Sequence, residues 1–172
     1  RCCDDARQSA AMQRFKLTIA YDGTDYNGWQ IQPGCRTIQG ELENALSRFT
    51  GDHPKVHGSG RTDQGVHAVG QVAHVDLACG ISCSDIRKAL NAILVDDIRV
   101  LRVARAPHDF HARRCAVGKE YRYFIWNGEI MPPMIRRYRH HVRSPLDVDA
   151  MRSAASALAG ARDFAAFTAN PN

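Results

Sequence analysis

The spacing of apolar residues switches back and forth between the period of a strand and that of a helix. This alternation restricts the chain to a small set of folds. Phe15, Leu17, Ile19 and Tyr21 alternate with Lys16, Thr18 and Ala20, the period-two pattern of a half-buried strand. Residues 22–36 carry three glycines and Pro33 and read as a long loop. Ile38, Leu42, Ala45, Leu46 and Phe49 then form a helical stripe behind Thr37, an N-cap residue, and Gly51 marks its end. Ala73, Val75 and Leu77 alternate with His74 and Asp76 in a second strand. Ser84 is the expected cap of a second helix through Ile86, Ala89, Leu90 and Ile93, and 98–103 reads as a further strand. Strand, helix, strand, helix, strand is the order of an α+β domain with an antiparallel or mixed sheet.

Pro107 marks the expected boundary of this domain. Beyond it the pattern predicts a strand at 118–126, a Gly/Pro-interrupted stretch at 127–133 and a short strand near 138–142. Asp147 caps a helix with Met151, Ala155 and Leu158 on one stripe and Gly160 as its stop. The division is therefore 1–13 as a disordered polar lead-in, 14–106 as an α+β domain, and 107–172 as the first part of a second.

At 172 residues, with 44% hydrophobic and 24% charged side chains, the chain has the composition of an ordinary globular protein. No apolar run approaches a membrane span, and RCCDDARQSAAMQ lacks a signal-peptide core. The expected location is cytoplasmic, with no membrane partner. The six cysteines form no CxxC pair and read as reduced thiols. His108 with His111, and His140 with His141, are weighed as metal ligands and set aside: the first pair lies in a loop, the second on opposite faces of a strand. No metal is expected.

The net charge of +5 leans towards a polyanionic partner. Its distribution is more informative. Arg113, Arg114, Lys119 and Arg122 interleave with Phe110, Tyr121 and Tyr123, and IRRYRHHVR at 135–143 sets four Arg and two His around Tyr138. Such interleaving suits a phosphate backbone with unstacked bases; it also suits a solvated strand face whose Arg stems cover apolar surface.

Gly58 to Ala68, GSGRTDQGVHA, gathers Arg61, Asp63, His67 and three glycines just before the second long strand. Glycines permit sharp turns and close approach to a ligand. An Arg two residues before an Asp can pair with it and keep the carboxylate ionised. An oriented, ionised carboxylate can act as nucleophile or base.

GRTDQGVHA at 60–68 closely resembles the signature of the TruA family of tRNA pseudouridine synthases. FKLTIAYDGTDYNGWQ at 15–30, TIQGELENAL at 37–46, FHARRCA at 110–116, KEYRY at 119–123, PLDVDAM at 145–151 and DFAAF at 163–167 resemble further segments of that family in the same order. The resemblance implies two pseudo-related α+β halves, ferredoxin/RRM-like, whose sheets join into one extended sheet around a basic cleft. The second half would be incomplete here, without a second basic residue of the pocket and some of its apolar lining. Arg162 stands where the family usually has a His.

The implied function is isomerisation of uridine to pseudouridine in the anticodon stem-loop of tRNA, in the 38–40 region, without a cofactor and in a homodimer. Asp63 would be the nucleophile. Arg61 would hold Asp63 ionised, contact phosphate and occupy the gap left by the flipped base. Tyr121 would stack on the uracil and accept a proton at carbon 5. Gln30, Arg61, His67, Arg113, Arg114, Lys119 and Arg122 are the expected RNA-binding residues. The alternative is a catalytically incomplete, RNA-binding fragment of such an enzyme.

Overall fold

The computed structural model describes residues 12–78 and 80–167. It divides into two compact units, the first running to Lys119 and the second beginning at Glu120. The class is α+β, as the alternating periods predict. The expected lead-in lies outside the described residues up to position 11, and the first strand begins at Met12.

The first unit contains β1 (Met12–Tyr21), α1 (Ile38–Thr50), β2 (His57–Gly58), β3 (Ala68–Ala78), α2 (Cys83–Ile93) and β4 (Ile98–Ala106). The strands form one antiparallel sheet in the order β2-β3-β1-β4. β1 is central, so its alternate residues Phe15, Leu17, Ile19 and Tyr21 are buried. Both helices lay their apolar stripes into the same core: Ile38, Leu42 and Leu46 from α1, Ile86 and Leu90 from α2. Full burial of each such side chain stabilises by about 1.5–3 kcal/mol. The register of β1 against β4 shifts between Thr18 and Ile19. That irregularity brings both Val100 and Val103, which are three residues apart, into the core.

The caps follow the sequence at two of three helices. Thr37 accepts from Gly40 N–H, and Gly51 ends α1 in the left-handed conformation. Asp147 accepts from Ala150 N–H. At α2 the cap is Ser82, not Ser84: the Ser82 hydroxyl accepts from Asp85 N–H and donates to the Asp85 carboxylate. Ser and Asp three apart form a reciprocal cap, and Ser84 has no such partner at the same distance.

Glu43 is a buried carboxylate on α1 that no periodicity reveals. It accepts from Val56 N–H at 3.0 Å and from Gln39, and pairs with Lys55 at 3.1 Å. The segment leading into β2 is thereby tied to α1.

The second unit contains β5 (Ile125–Asn127) paired in parallel with β6 (His140–Val142), and α3 (Val148–Leu158). The strand expected at 118–126 is ordered as a ladder only at Ile125–Asn127. The Phe124 carbonyl still accepts from His140 N–H at 2.7 Å, but residues 118–123 alternate without a partner strand among the described residues, and alternation without a partner does not make a strand. Asn127 fastens the pair: its amide donates to Val142 and Ser144 carbonyls, and its carbonyl accepts from Leu146 N–H. Among the described residues no side chain after Ala112 is buried.

Candidate functional site

The loop 59–67 is held by the loop that follows β1. Trp29 N–H donates to the Thr62 carbonyl at 2.9 Å, and Gly65 N–H donates to the Tyr26 carbonyl at 3.3 Å. The buried Tyr21 hydroxyl meets Thr62 Oγ1 at 2.9 Å. His67 is half-buried in the seam, with Nδ1 3.0 Å from Asp22 Oδ1 and 3.2 Å from the Gly23 backbone nitrogen. Glycines make this closeness possible. A Cβ on Gly23 would stand 2.0 Å from the Val66 carbonyl oxygen, and one on Gly28, whose φ is +83°, would stand 2.4 Å from that of Thr62. On the β3 side, Ser59 Oγ donates to Gln71, and Gln71 donates to the Gly60 carbonyl at 2.7 Å.

Asp63 is therefore carried on a backbone bonded on both sides, with its side chain exposed. The Asp63 carbonyl also closes a local turn, accepting from Val66 N–H at 3.2 Å. Arg61 is likewise exposed, and no ion pair joins it to Asp63 among the described residues. Tyr121 belongs to the second unit and is 68% exposed.

Beside the loop, the first unit has a cleft of about 450 Å³ lined in part by Gln30, Arg61, Arg113 and Lys119. These four expected RNA-binding residues are brought together. Asp63, His67 and Arg114 do not line it; the backbone N–H of Arg114 instead donates to His111 Nδ1 at 3.4 Å. Arg122, in the second unit, pairs with Glu120, and the arginine's pKa is raised by that bond. Trp29, although buried, also lines the cleft, and its backbone serves the loop seam.

The sequence reading missed a cluster of three histidines beside the cleft. His57 and His74 are register partners on β2 and β3, with ring centroids 4.9 Å apart and nearly parallel planes. His111 lies 4.8 Å from His74. His57 and His111 line the cleft, whereas His74 is buried. Arg14 brings His111 there: it pairs with Asp76 through two bonds and donates to the carbonyls of His108 and Phe110. The Arg14 guanidinium holds the Asp76 carboxyl below the usual carboxylate range. Burial, with His57, Arg14 and His111 nearby, pushes His74 down to about 4. Its Nδ1 accepts from Ala112 N–H at 3.2 Å. No cluster of His, Cys, Asp and Glu among the described residues could hold a metal ion.

An exposed carboxylate thus lies on a doubly bonded loop, next to a cleft lined by two arginines and a lysine. Residues 17–113 match the family model described as tRNA pseudouridine synthase, and the chain belongs to that family. It is 49% identical to the tRNA pseudouridine synthase A of Brevibacillus brevis, over 91% of this chain and 64% of that relative. It is 51% identical to that of Nitratidesulfovibrio vulgaris, over 91% and 54%, and 44% identical to tRNA pseudouridine synthase A 1 of Desulfotalea psychrophila, over 91% and 62%. The chain thus spans less than two thirds of the length of these curated relatives.

Proposed function

We propose that the chain carries the catalytic loop of an enzyme that isomerises uridine to pseudouridine in the anticodon stem-loop of tRNA. The observation that carries this is the exposed Asp63 on a loop fixed by Tyr21, Tyr26, Trp29 and Gln71, in a chain of this family. Asp63 is the nucleophile that adds to the flipped nucleotide and is released when the base rejoins the ribose through carbon 5. Dividing one hard step into two easier ones is what a carboxylate nucleophile supplies. A fixed loop reduces the cost of aligning it.

Arg61 contacts the RNA and fills the gap left by the flipped base. Its guanidinium is free of Asp63, so it is available for phosphate. Gln30, Arg113 and Lys119 in the cleft, with His67, Arg114 and Arg122, bind the rest of the RNA. Tyr121 takes the proton from carbon 5. We read the enzyme as a cytoplasmic homodimer with two α+β halves around a basic cleft, on the resemblance of its motifs to the TruA family.

The test is position-by-position pseudouridine mapping on unmodified tRNA transcript incubated with the folded chain, alone and as Asp63→Ala. Product at anticodon-arm uridines that disappears in the variant, with RNA affinity held within about twofold, is the expected result. Product that persists in Asp63→Ala would refute the role given to Asp63.

A further inference from the structure

The cleft beside the catalytic loop contains more than cations. His57 and His111 on its wall both contact the buried His74, His57 in a nearly parallel stack and His111 with its ring tilted. The rings are pinned rather than loose. His74 Nδ1 accepts from Ala112 N–H, and His111 Nδ1 accepts from Arg113 N–H at 3.2 Å. Each of these rings therefore holds its proton on Nε2 and is fixed in orientation. The Arg14 bonds to the His108 and Phe110 carbonyls fix the segment that carries His111. Glu43, through Val56 N–H, fixes the segment that carries His57.

The exposed imidazole of His57, backed by the nearly parallel ring of buried His74, is a stacking surface for an unpaired nucleobase. Gln30 and Gln39, which also line the cleft, offer both donors and acceptors for a base edge. Arg61, Arg113 and Lys119 on the same rim supply the charge for a phosphate. The volume, about 450 Å³, lies within the range of about 300–1,000 Å³ typical of small-molecule sites. Asp63 does not line this cleft, so a nucleotide seated in it is not the one that reacts.

We propose that this cleft is a second nucleotide subsite, which stacks an unpaired base of the RNA on His57 and binds its phosphate through Arg113 and Lys119. The proposal rests on the RNA-modifying function proposed above. By holding a nucleotide apart from the reacting uridine, the subsite would set which uridine reaches Asp63.

The experiment measures binding of an unmodified anticodon-arm RNA hairpin to the folded chain by fluorescence anisotropy. It compares wild type with His57→Ala, His57→Phe and Asp63→Ala. Stacking on an aromatic side chain is worth about 1–3 kcal/mol per base by alanine substitution, so His57→Ala should weaken binding at least fivefold, by up to a hundredfold or more. His57→Phe keeps a flat ring and should restore affinity to within about threefold; Asp63→Ala should leave it near wild type. His57 and His111 ring resonances in NMR spectra should shift on RNA addition in wild type. RNA binding that His57→Ala leaves within twofold of wild type would overturn the subsite while leaving the RNA function intact. Loss in His57→Ala that His57→Phe does not restore would overturn the stacking role. No binding of the hairpin by the folded wild-type chain would overturn both readings.

Discussion

Mild acid should destabilise the first unit through His74 before the Asp76 carboxylate, held down by Arg14, titrates. His74 is 2% exposed in the middle of β3. Burial is the main cause that lowers it from 6.5 to about 4, and the facing groups His57, Arg14 and His111 push in the same direction against Asp76. In the unfolded chain the imidazole takes up a proton near its ordinary value. Between the two values the unfolded state therefore binds more protons than the folded one, and stability falls as pH falls. The stability conferred by a neutral His74 is fully present above 6.5 and lost as pH falls towards 4. The whole shift corresponds to roughly 3 kcal/mol, and linkage puts roughly 2 kcal/mol of it between pH 7.5 and pH 5. Asp76, lowered by Arg14, behaves differently: its contribution is present above the unfolded value of 3.8 and lost only below it. Urea unfolding at pH 7.5 and 5.0 therefore reads the histidines, including His111, which burial also lowers, and a non-titrating variant separates His74 from the others. His74→Asn keeps an acceptor for Ala112 N–H but cannot titrate. Wild type should lose about 2 kcal/mol more than the variant between the two pH values. Equal losses, within about 0.5 kcal/mol, would refute the assignment of the pH response to this side chain.

Three other perturbations test other parts of the frame. Gly28→Ala should lower the stability of the first unit by more than the roughly 1–2 kcal/mol of a left-handed residue, because the new Cβ would also meet the Thr62 carbonyl at 2.4 Å; an unchanged thermal midpoint would contradict the tight loop seam. Glu43→Ala leaves Val56 N–H without its acceptor and Lys55 without its partner, an expected loss of about 1–3 kcal/mol in urea unfolding, with amide exchange at Val56 accelerated. Arg113→Gln and Lys119→Gln, both on the cleft rim, should each reduce the slope of log affinity against log salt by roughly 0.7–0.9, read by RNA binding across a salt series.

Local pattern carried much of the fold. The alternation at 15–21 became the central strand, and the stripes at 38–49 and 86–93 became α1 and α2. Thr37, Gly51 and Asp147 hold the cap positions expected of them. These features depend on residues within a turn or two of one another, so the sequence states them directly. The motif at 60–68 likewise pointed to Asp63 and Arg61, and a family model confirms the membership that the motif suggested. Only the tertiary structure decided the rest. The expected Arg61–Asp63 pair is absent, and the loop is held instead by Tyr21, Trp29 and Gln71. His57, His74 and His111 have no meaningful spacing in sequence; the register of β2 on β3 and the reach of Arg14 across the sheet bring them together. Residues 118–123 alternate like a strand and form none, with no partner strand among the described residues. A period is set by neighbours along the chain, whereas a contact depends on register, bulges and buried hydrogen bonds that join residues far apart in it. For that reason the sequence determined the elements and the glycine-rich 58–68 motif, and the packed sheet decided what surrounds them.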